Sequence, residues 1–133
     1  MSAPIRIAIV DEAPGAGRRE AFRLELLSER VTARELIERR VRHEVQAHLS
    51  NATEMFFGLV QPTDTERTLN GWRLKRPRRI DADAQVQAAW EAFARGRILL
   101  LVNDRQVDAL DEPLTLKADA EVCFYKLVPL VGG

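Results

Sequence analysis

The residues best suited to chemistry in this sequence are its last two, Gly132 and Gly133. A C-terminal carboxylate can be activated with ATP to an acyl adenylate, which a thiol, a sulfide donor or an amine then attacks. A partner enzyme must draw such a tail through a narrow channel, and glycine allows a close backbone approach that a β-carbon would prevent. Proline fixes its own φ and biases the preceding residue away from helix, which favours an extended path. The residues before the diglycine are therefore predicted to form a partner-binding tail: Val128, Pro129, Leu130 and Val131.

A run of basic residues is the second candidate for function. Five cations within seven residues are dense enough to contact phosphates or an acidic protein surface. The formal net charge of the chain is +0 and the run has only Trp72 as an aromatic neighbour, so nucleic-acid binding is disfavoured. We interpret the run as a docking loop for an acidic partner, formed by Arg73, Lys75, Arg76, Arg78 and Arg79.

The remaining inventory for catalysis is thin. His43 and His48 lie five residues apart on a predicted helix, so their imidazoles point in different directions and disfavour a shared metal site. We interpret both as ordinary, partly exposed residues. Cys123 is interpreted as a buried strand thiol, because a reactive thiolate needs an accessible, electropositive setting. Motifs of metalloproteases, P-loops, dinucleotide folds and serine hydrolases do not occur, so we expect neither catalysis by the chain itself nor a cofactor.

The composition is that of a globular domain. The chain has 133 residues, of which 46% are hydrophobic and 30% are charged, and this balance excludes a fibre or a disordered tail. The longest uninterrupted apolar stretch, residues 98–102, is far shorter than the ~20 residues that span a bilayer, so no membrane partner is expected. A single cysteine and the lack of a signal-peptide pattern predict a cytoplasmic protein.

Two alternating runs predict a hairpin near the start of the chain. Every second residue over 5–10 is isoleucine, and residues 21–27 alternate apolar and charged side chains. Thr32 followed by Glu35 has the form of a capping box, in which the hydroxyl and the carboxylate each satisfy a backbone N–H. A helix with one apolar stripe is therefore predicted over 33–49.

The middle of the chain interrupts this pattern. Glycine and proline break any long element over 50–80, and Asn70-Gly71 predicts a tight hairpin turn. A second helix is predicted over 83–95, with Gly96 as a left-handed cap at its end. One face of this helix is predicted to pack against the rest of the domain: Val86, Ala89, Trp90 and Phe93.

The end of the chain predicts further strands, over 98–102, over 106–108 and over 121–127. The order of the elements indicates an α+β fold with the main helix across one face of a mixed sheet. The first and last strands pair most simply side by side in the middle of the sheet, which is the β-grasp arrangement. We predict a single ubiquitin-like β-grasp domain over 1–133, with an insertion at about 50–95.

The segments 101–107 (LVNDRQV), 112–122 (EPLTLKADAEV) and 127–133 (LVPLVGG), together with the order of elements, resemble the ubiquitin-like β-grasp superfamily. Its members include the small subunit of molybdopterin synthase, the thiamine sulfur carrier and bacterial ubiquitin-like modifiers. Residues 50–95 depart from the pattern, because minimal members of the family lack an excursion of this length. The resemblance implies that an E1-like activating enzyme, of the type that serves molybdopterin and thiamine synthesis, adenylates the diglycine.

The resemblance thus implies a modifier or carrier rather than an enzyme. We expect Gly133 to be adenylated and then joined to amines of target proteins, with an E2-like conjugating enzyme and a deconjugating protease as further partners. Conjugation is favoured because the added helix and loop supply recognition surface that a small sulfur shuttle does not need. Two alternatives stay open: a sulfur carrier that forms a thiocarboxylate for cofactor synthesis, and a non-conjugated interaction or nucleic-acid adaptor that uses the basic loop 73–79.

Overall fold

The computed structural model describes residues 4–51, 55–56, 59, 65–68, 71–74 and 81–127. These ranges contain two helices and ten strands, and the strands form three sheets. In chain order the elements are β1 (Ile5–Ala13), β2 (Gly17–Leu26), β3 (Arg30–Thr32), α1 (Ala33–Asn51), β4 (Met55–Phe56), β5 (Thr65–Thr68), β6 (Gly71–Leu74), α2 (Ala82–Ala94), β7 (Ile98–Val102), β8 (Arg105–Gln106), β9 (Pro113–Thr115) and β10 (Glu121–Lys126).

The largest sheet has five strands in the order β2, β1, β10, β7, β8. Its central pair, β1 and β10, is parallel, with Ile9 opposite Val122 and Glu12 opposite Tyr125. The other neighbours in this sheet are antiparallel. With α1 packed across one face, the fold is α+β and has the β-grasp arrangement, which confirms the predicted fold class. Because β1 and β10 run in the same direction, their carboxyl ends meet at one edge of the sheet.

The N-terminal hairpin is longer than the strands predicted over 5–10 and 21–27. The register of β1 with β2 shifts between Ile9 and Val10, which leaves Ala21 as the extra residue of a β-bulge. The bulge breaks the apolar alternation at the position where the prediction starts its second strand. The part of β2 before the bulge is missed by the prediction because it is exposed and carries no apolar side chain.

The first helix begins where the capping box predicts, at Ala33, and ends two residues later than predicted. The hydroxyl of Thr32 accepts a hydrogen bond from the backbone N–H of Glu35 at 3.1 Å. The Glu35 carboxylate accepts from this hydroxyl at 3.3 Å, where the capping box predicts a backbone N–H as its donor. Four residues of the predicted apolar stripe are buried, namely Leu36, Ile37, Val41 and Val45; the side chain of the fifth, Leu49, lies outside the described part of the chain.

Two smaller sheets go beyond the predicted elements. In one, β3 pairs with β9, and Val31 lies opposite Leu114; strands of three residues are too short to show an alternation. In the other, β6 lies between β4 and β5, within the region 50–80 that the sequence indicates as irregular. Thr68 lies opposite Gly71, so Gly71 belongs to β6 and not to the predicted turn.

The second helix packs against the first, as predicted. Its N-terminus is capped by Asp81, whose carboxylate accepts from the N–H of Ala84 at 3.1 Å, and Gly96 follows its end at φ +73°. The indole N–H of Trp90 donates to the carbonyl oxygen of Arg34 at 3.0 Å, which joins the two helices. The other residues of the predicted face are buried: Val86, Ala89 and Phe93.

The hydrophobic core lies between the largest sheet and the helices. Ile7, Leu100 and Phe124 of the sheet are completely buried, as are Leu36 and Ile37 of α1. No helix within the described ranges is long and apolar enough to span a membrane.

Candidate functional site

Most of the predicted functional residues lie outside the described part of the chain. The tail, residues 128–133, follows Leu127, which is the last described residue. Of the predicted docking loop, the backbone of Arg73 lies in β6. The other members of that loop are outside the described residues: Lys75, Arg76, Arg78 and Arg79.

The root of the tail, Lys126 and Leu127, lies at the carboxyl end of the central strand β10. The N–H of Leu127 donates to the carbonyl oxygen of Arg97 at 3.0 Å and adds one rung beyond the last residue of β10. Donors on one side of an antiparallel strand recur at every second residue, so the next donor in this series would be position 129. Proline stands there and has no N–H. The series of donors is therefore interrupted after Leu127.

A cluster of buried charges that the sequence patterns do not predict lies beside this root. The guanidinium of Arg40 donates to both carboxylate oxygens of Asp11, at 2.5 Å and 2.7 Å, and to the carboxylate of Glu44 at 3.3 Å. The ammonium of Lys126 lies 3.6 Å from the Asp11 carboxylate. We call these four residues the Arg40 cluster; it joins β1, α1 and β10 at one edge of the sheet.

Burial makes the Arg40 cluster unusual. The side chain of Arg40 is 1% exposed, and those of Asp11 and Glu44 are 11% and 7% exposed. Phe124 flanks the guanidinium, with 4.5 Å between the guanidinium carbon and the ring centroid. Glu44 accepts a further hydrogen bond from the backbone N–H of Leu59 at 3.0 Å. This bond ties the chain that follows α1 to the same cluster.

The pKa values of the two acids in the cluster are shifted in opposite directions. Burial by itself would raise the pKa of Asp11, but the hydrogen bond and charge of Arg40, with the charge of Lys126, outweigh it and lower this pKa. For Glu44 burial is the larger effect, and it raises the pKa above its ordinary value despite the charge of Arg40. Burial also lowers the pKa of Lys126, although Asp11 favours its charged form.

The Arg40 cluster joins β1, α1 and β10 through contacts among its own charged groups. Its donors and acceptors are directed at each other, and Arg40 Nε is buried without a hydrogen-bond partner. Among the described residues, no group of three or more His, Cys, Asp or Glu side chains is placed to hold a metal ion. A signal for the cluster does exist in the sequence: Arg40 and Glu44 stand at i and i+4 within the apolar stripe of α1.

The histidines and the cysteine occupy different settings. His43 is exposed, and its ring stacks on Phe22 with 4.5 Å between the centroids. His48 is buried, so the interpretation of a partly exposed residue is wrong; it lies one turn after Glu44 on the inward face of α1.

Cys123 is a buried free thiol, as predicted. Burial raises its pKa, as does the nearby Glu12 carboxylate, which disfavours the thiolate.

Comparisons with protein-family models, with curated proteins and with solved structures found no match to this chain. The class of protein is therefore defined by the fold alone, an α+β chain with the β-grasp arrangement in which β10, the last strand of the described residues, is central and ends beside a buried charge cluster.

Proposed function

We propose that this chain is a ubiquitin-like protein modifier whose Gly133 carboxylate is adenylated by an E1-like enzyme and then joined to target amines. The observation that carries the proposal is the position of β10, a central strand parallel to β1 that ends at an edge of the sheet. Leu127 is 40% exposed at this edge, and the segment that continues from it in the sequence ends in the diglycine.

The reach of the tail supports the proposal. Six residues, 128–133, follow Leu127, and an extended chain spans up to about 3.5 Å per residue, or roughly 20 Å in all. Such a length can carry a carboxylate from the sheet edge into a partner's nucleotide site. The terminal glycines lack the β-carbons that would obstruct a narrow channel.

The chemistry that we propose takes place on the Gly133 carboxylate and is supplied by the partner. One carboxylate oxygen attacks the α-phosphorus of ATP, the bond to the pyrophosphate breaks, and an acyl adenylate forms. The amine nitrogen of a target then attacks the acyl carbon, directly or after transfer to an enzyme thiol. AMP leaves in the step that consumes the adenylate. On the route through a thioester, the carbon–sulfur bond then breaks and the enzyme thiol is released. The amine loses a proton, and an amide bond remains.

The test of the proposal is ATP–pyrophosphate exchange with the E1-like enzyme of the same organism. We expect exchange with the parent protein, no exchange with a variant that lacks Gly133, and a large loss in Gly132→Val, because β-branching restricts the backbone and widens the tail. Intact mass establishes that Gly133 carries a free carboxylate, and a melting curve establishes folding. Exchange at the parent rate by a variant that lacks both glycines would contradict the proposal.

A further inference from the structure

We infer that Lys126 is a positioning residue, whose ion pair with Asp11 anchors the end of β10 and so sets the point from which the tail leaves the sheet. The consequence for activation rests on the proposed function. The anchoring itself is a property of the free protein and is tested separately from activation.

The root of the tail is held from both sides. The rung from Leu127 to Arg97 joins it to the start of β7 at 3.0 Å, and the ammonium of Lys126 joins it to β1 at 3.6 Å from the Asp11 carboxylate. Past Leu127 the next position in the donor series is proline, so these two contacts are the last that hold β10 in the described chain. Both must loosen before β10 frays.

Asp11 is a fixed anchor point. Both of its carboxylate oxygens accept from Arg40, whose side chain is 1% exposed, and bidentate arginine–carboxylate pairs have a defined geometry. Lys126 lies at the rim of this arrangement, with 26% of its side chain exposed. A partly exposed lysine bound to a fixed carboxylate restrains its own backbone, because its free motion would separate the pair.

The charges of the cluster favour the position of the Lys126 ammonium beside Asp11. When both acids are ionised, Arg40 neutralises one of the two carboxylates of the cluster, and Lys126 neutralises the other. Opposite charges attract more strongly where burial lowers the local dielectric than they do in water. The attraction holds Lys126 towards β1, at the edge where the tail begins.

A fixed root reduces the number of orientations of the tail before any partner binds. If the root is frayed in the free protein, it must become ordered when the partner binds. The entropy lost in this ordering weakens the complex. The acyl group that reaches the nucleotide is unchanged, so the loss falls on KM and not on kcat. We expect Lys126→Met to raise KM for the modifier in adenylation by about threefold to tenfold, with kcat within about twofold of the parent value.

The anchoring is tested first on the free protein, by NMR hydrogen exchange at the Leu127 amide. Lys126→Met keeps the aliphatic stem and removes the charge, while Asp11 stays paired with Arg40. After correction for the intrinsic rate of the new sequence, we expect exchange at Leu127 to accelerate at least threefold. Lys126→Arg, which can still pair with Asp11, is expected to restore the parent rate. Lys117→Met, the same change at an exposed lysine, serves as the matched control.

Each outcome decides a separate part of the inference. An exchange rate at Leu127 that does not change in Lys126→Met would overturn the anchoring, whatever adenylation shows. Faster exchange with an unchanged KM would overturn the positioning role. If the parent protein is not adenylated at all, the proposed function fails, and with it the role in activation, while the exchange experiment still decides whether Lys126 anchors the strand.

Discussion

At the scale of single residues, Arg40 is the buried cation that pairs with two carboxylates in the interior of the fold. Removing a guanidinium from water costs several kcal/mol, and here this cost is offset by Asp11, by Glu44 and by the face of Phe124. The two carboxylates depend on Arg40 in turn. Substituting Arg40 alone leaves both acids buried without their shared cation.

We therefore expect Arg40→Met to lower the free energy of unfolding by about 3–5 kcal/mol, the range for breaking a buried ion pair from one side. The matched control is Arg42→Met on the same helix, where the arginine pairs with Glu38 and Asp83 but is 44% exposed; there we expect a loss of at most about 1 kcal/mol. Urea unfolding of both variants measures the difference. Equal losses would contradict a special role for the buried charge.

The raised pKa of Glu44 gives a pH dependence with a definite sign. A carboxyl group whose pKa is higher in the folded than in the unfolded chain stabilises the fold below its unfolded pKa, and this contribution is lost as the pH rises through the folded pKa. Glu44→Gln keeps the shape and does not titrate. Relative to this variant, the parent protein should lose stability over the interval that begins at the ordinary pKa of glutamate, about 4, and extends upward to the raised pKa of Glu44. A parent that gains stability relative to the variant over this interval would refute the assignment.

At the scale of elements, α2 is joined to α1 by one aromatic side chain and one ion pair. The indole N–H of Trp90 donates to the Arg34 carbonyl oxygen, and the Arg34 guanidinium lies 4.9 Å from the Trp90 ring. Arg42 of α1 binds Asp83 at 2.8 Å near the start of α2. Because the ion pair is exposed, most of the stabilisation is expected from Trp90 and its buried neighbours.

Trp90→Ala should consequently lower the free energy of unfolding by about 3 kcal/mol. Trp90→Phe keeps an aromatic ring and removes the N–H donor, so we expect a smaller loss of about 1 kcal/mol. Denaturant unfolding of both proteins separates packing from hydrogen bonding. A near-neutral Trp90→Ala would mean that this face of α2 serves a partner instead of the fold.

The elements that the sequence predicts are those with a regular apolar period. The isoleucine alternation predicts β1, and the stripe that includes Ile37 and Val41 predicts α1. Elements without a period are not predicted: the first part of β2 is exposed and has no apolar side chain, and β3 and β9 are three residues each. The Arg40 cluster is not predicted for another reason: the pairing of Arg40 with Asp11 depends on how α1 crosses β1.

At the scale of the whole molecule, the parallel pair β1 and β10 brings the first and last strands together in the centre of the largest sheet. The chain after α1 is tied to this centre where the N–H of Leu59 donates to Glu44. The core residues that the structure describes belong to the sheet, to the helices and to the chain between them, and all of them precede Leu127. The fold should therefore not depend on residues 128–133.

Deletion of residues 128–133 is expected to change the free energy of unfolding by less than about 1 kcal/mol, because the described core is formed by residues that precede this segment. Thermal and urea unfolding of the truncated chain measure this change. A deletion that unfolds the protein would show that the tail belongs to the core, and it could not then be threaded into a partner's channel.

The most direct measurement of the central claim is mass spectrometry of the protein's covalent adducts. The protein, carrying an N-terminal affinity tag, is purified under denaturing conditions from the cells that make it and digested with trypsin. Lys126 is the last tryptic site before Gly133, so each conjugated lysine should carry a branch of residues 127–133, LVPLVGG. We expect such branched peptides on other proteins, and their loss in a variant without Gly132 and Gly133. Finding the parent tail only as a free carboxylate or a thiocarboxylate would contradict the modifier.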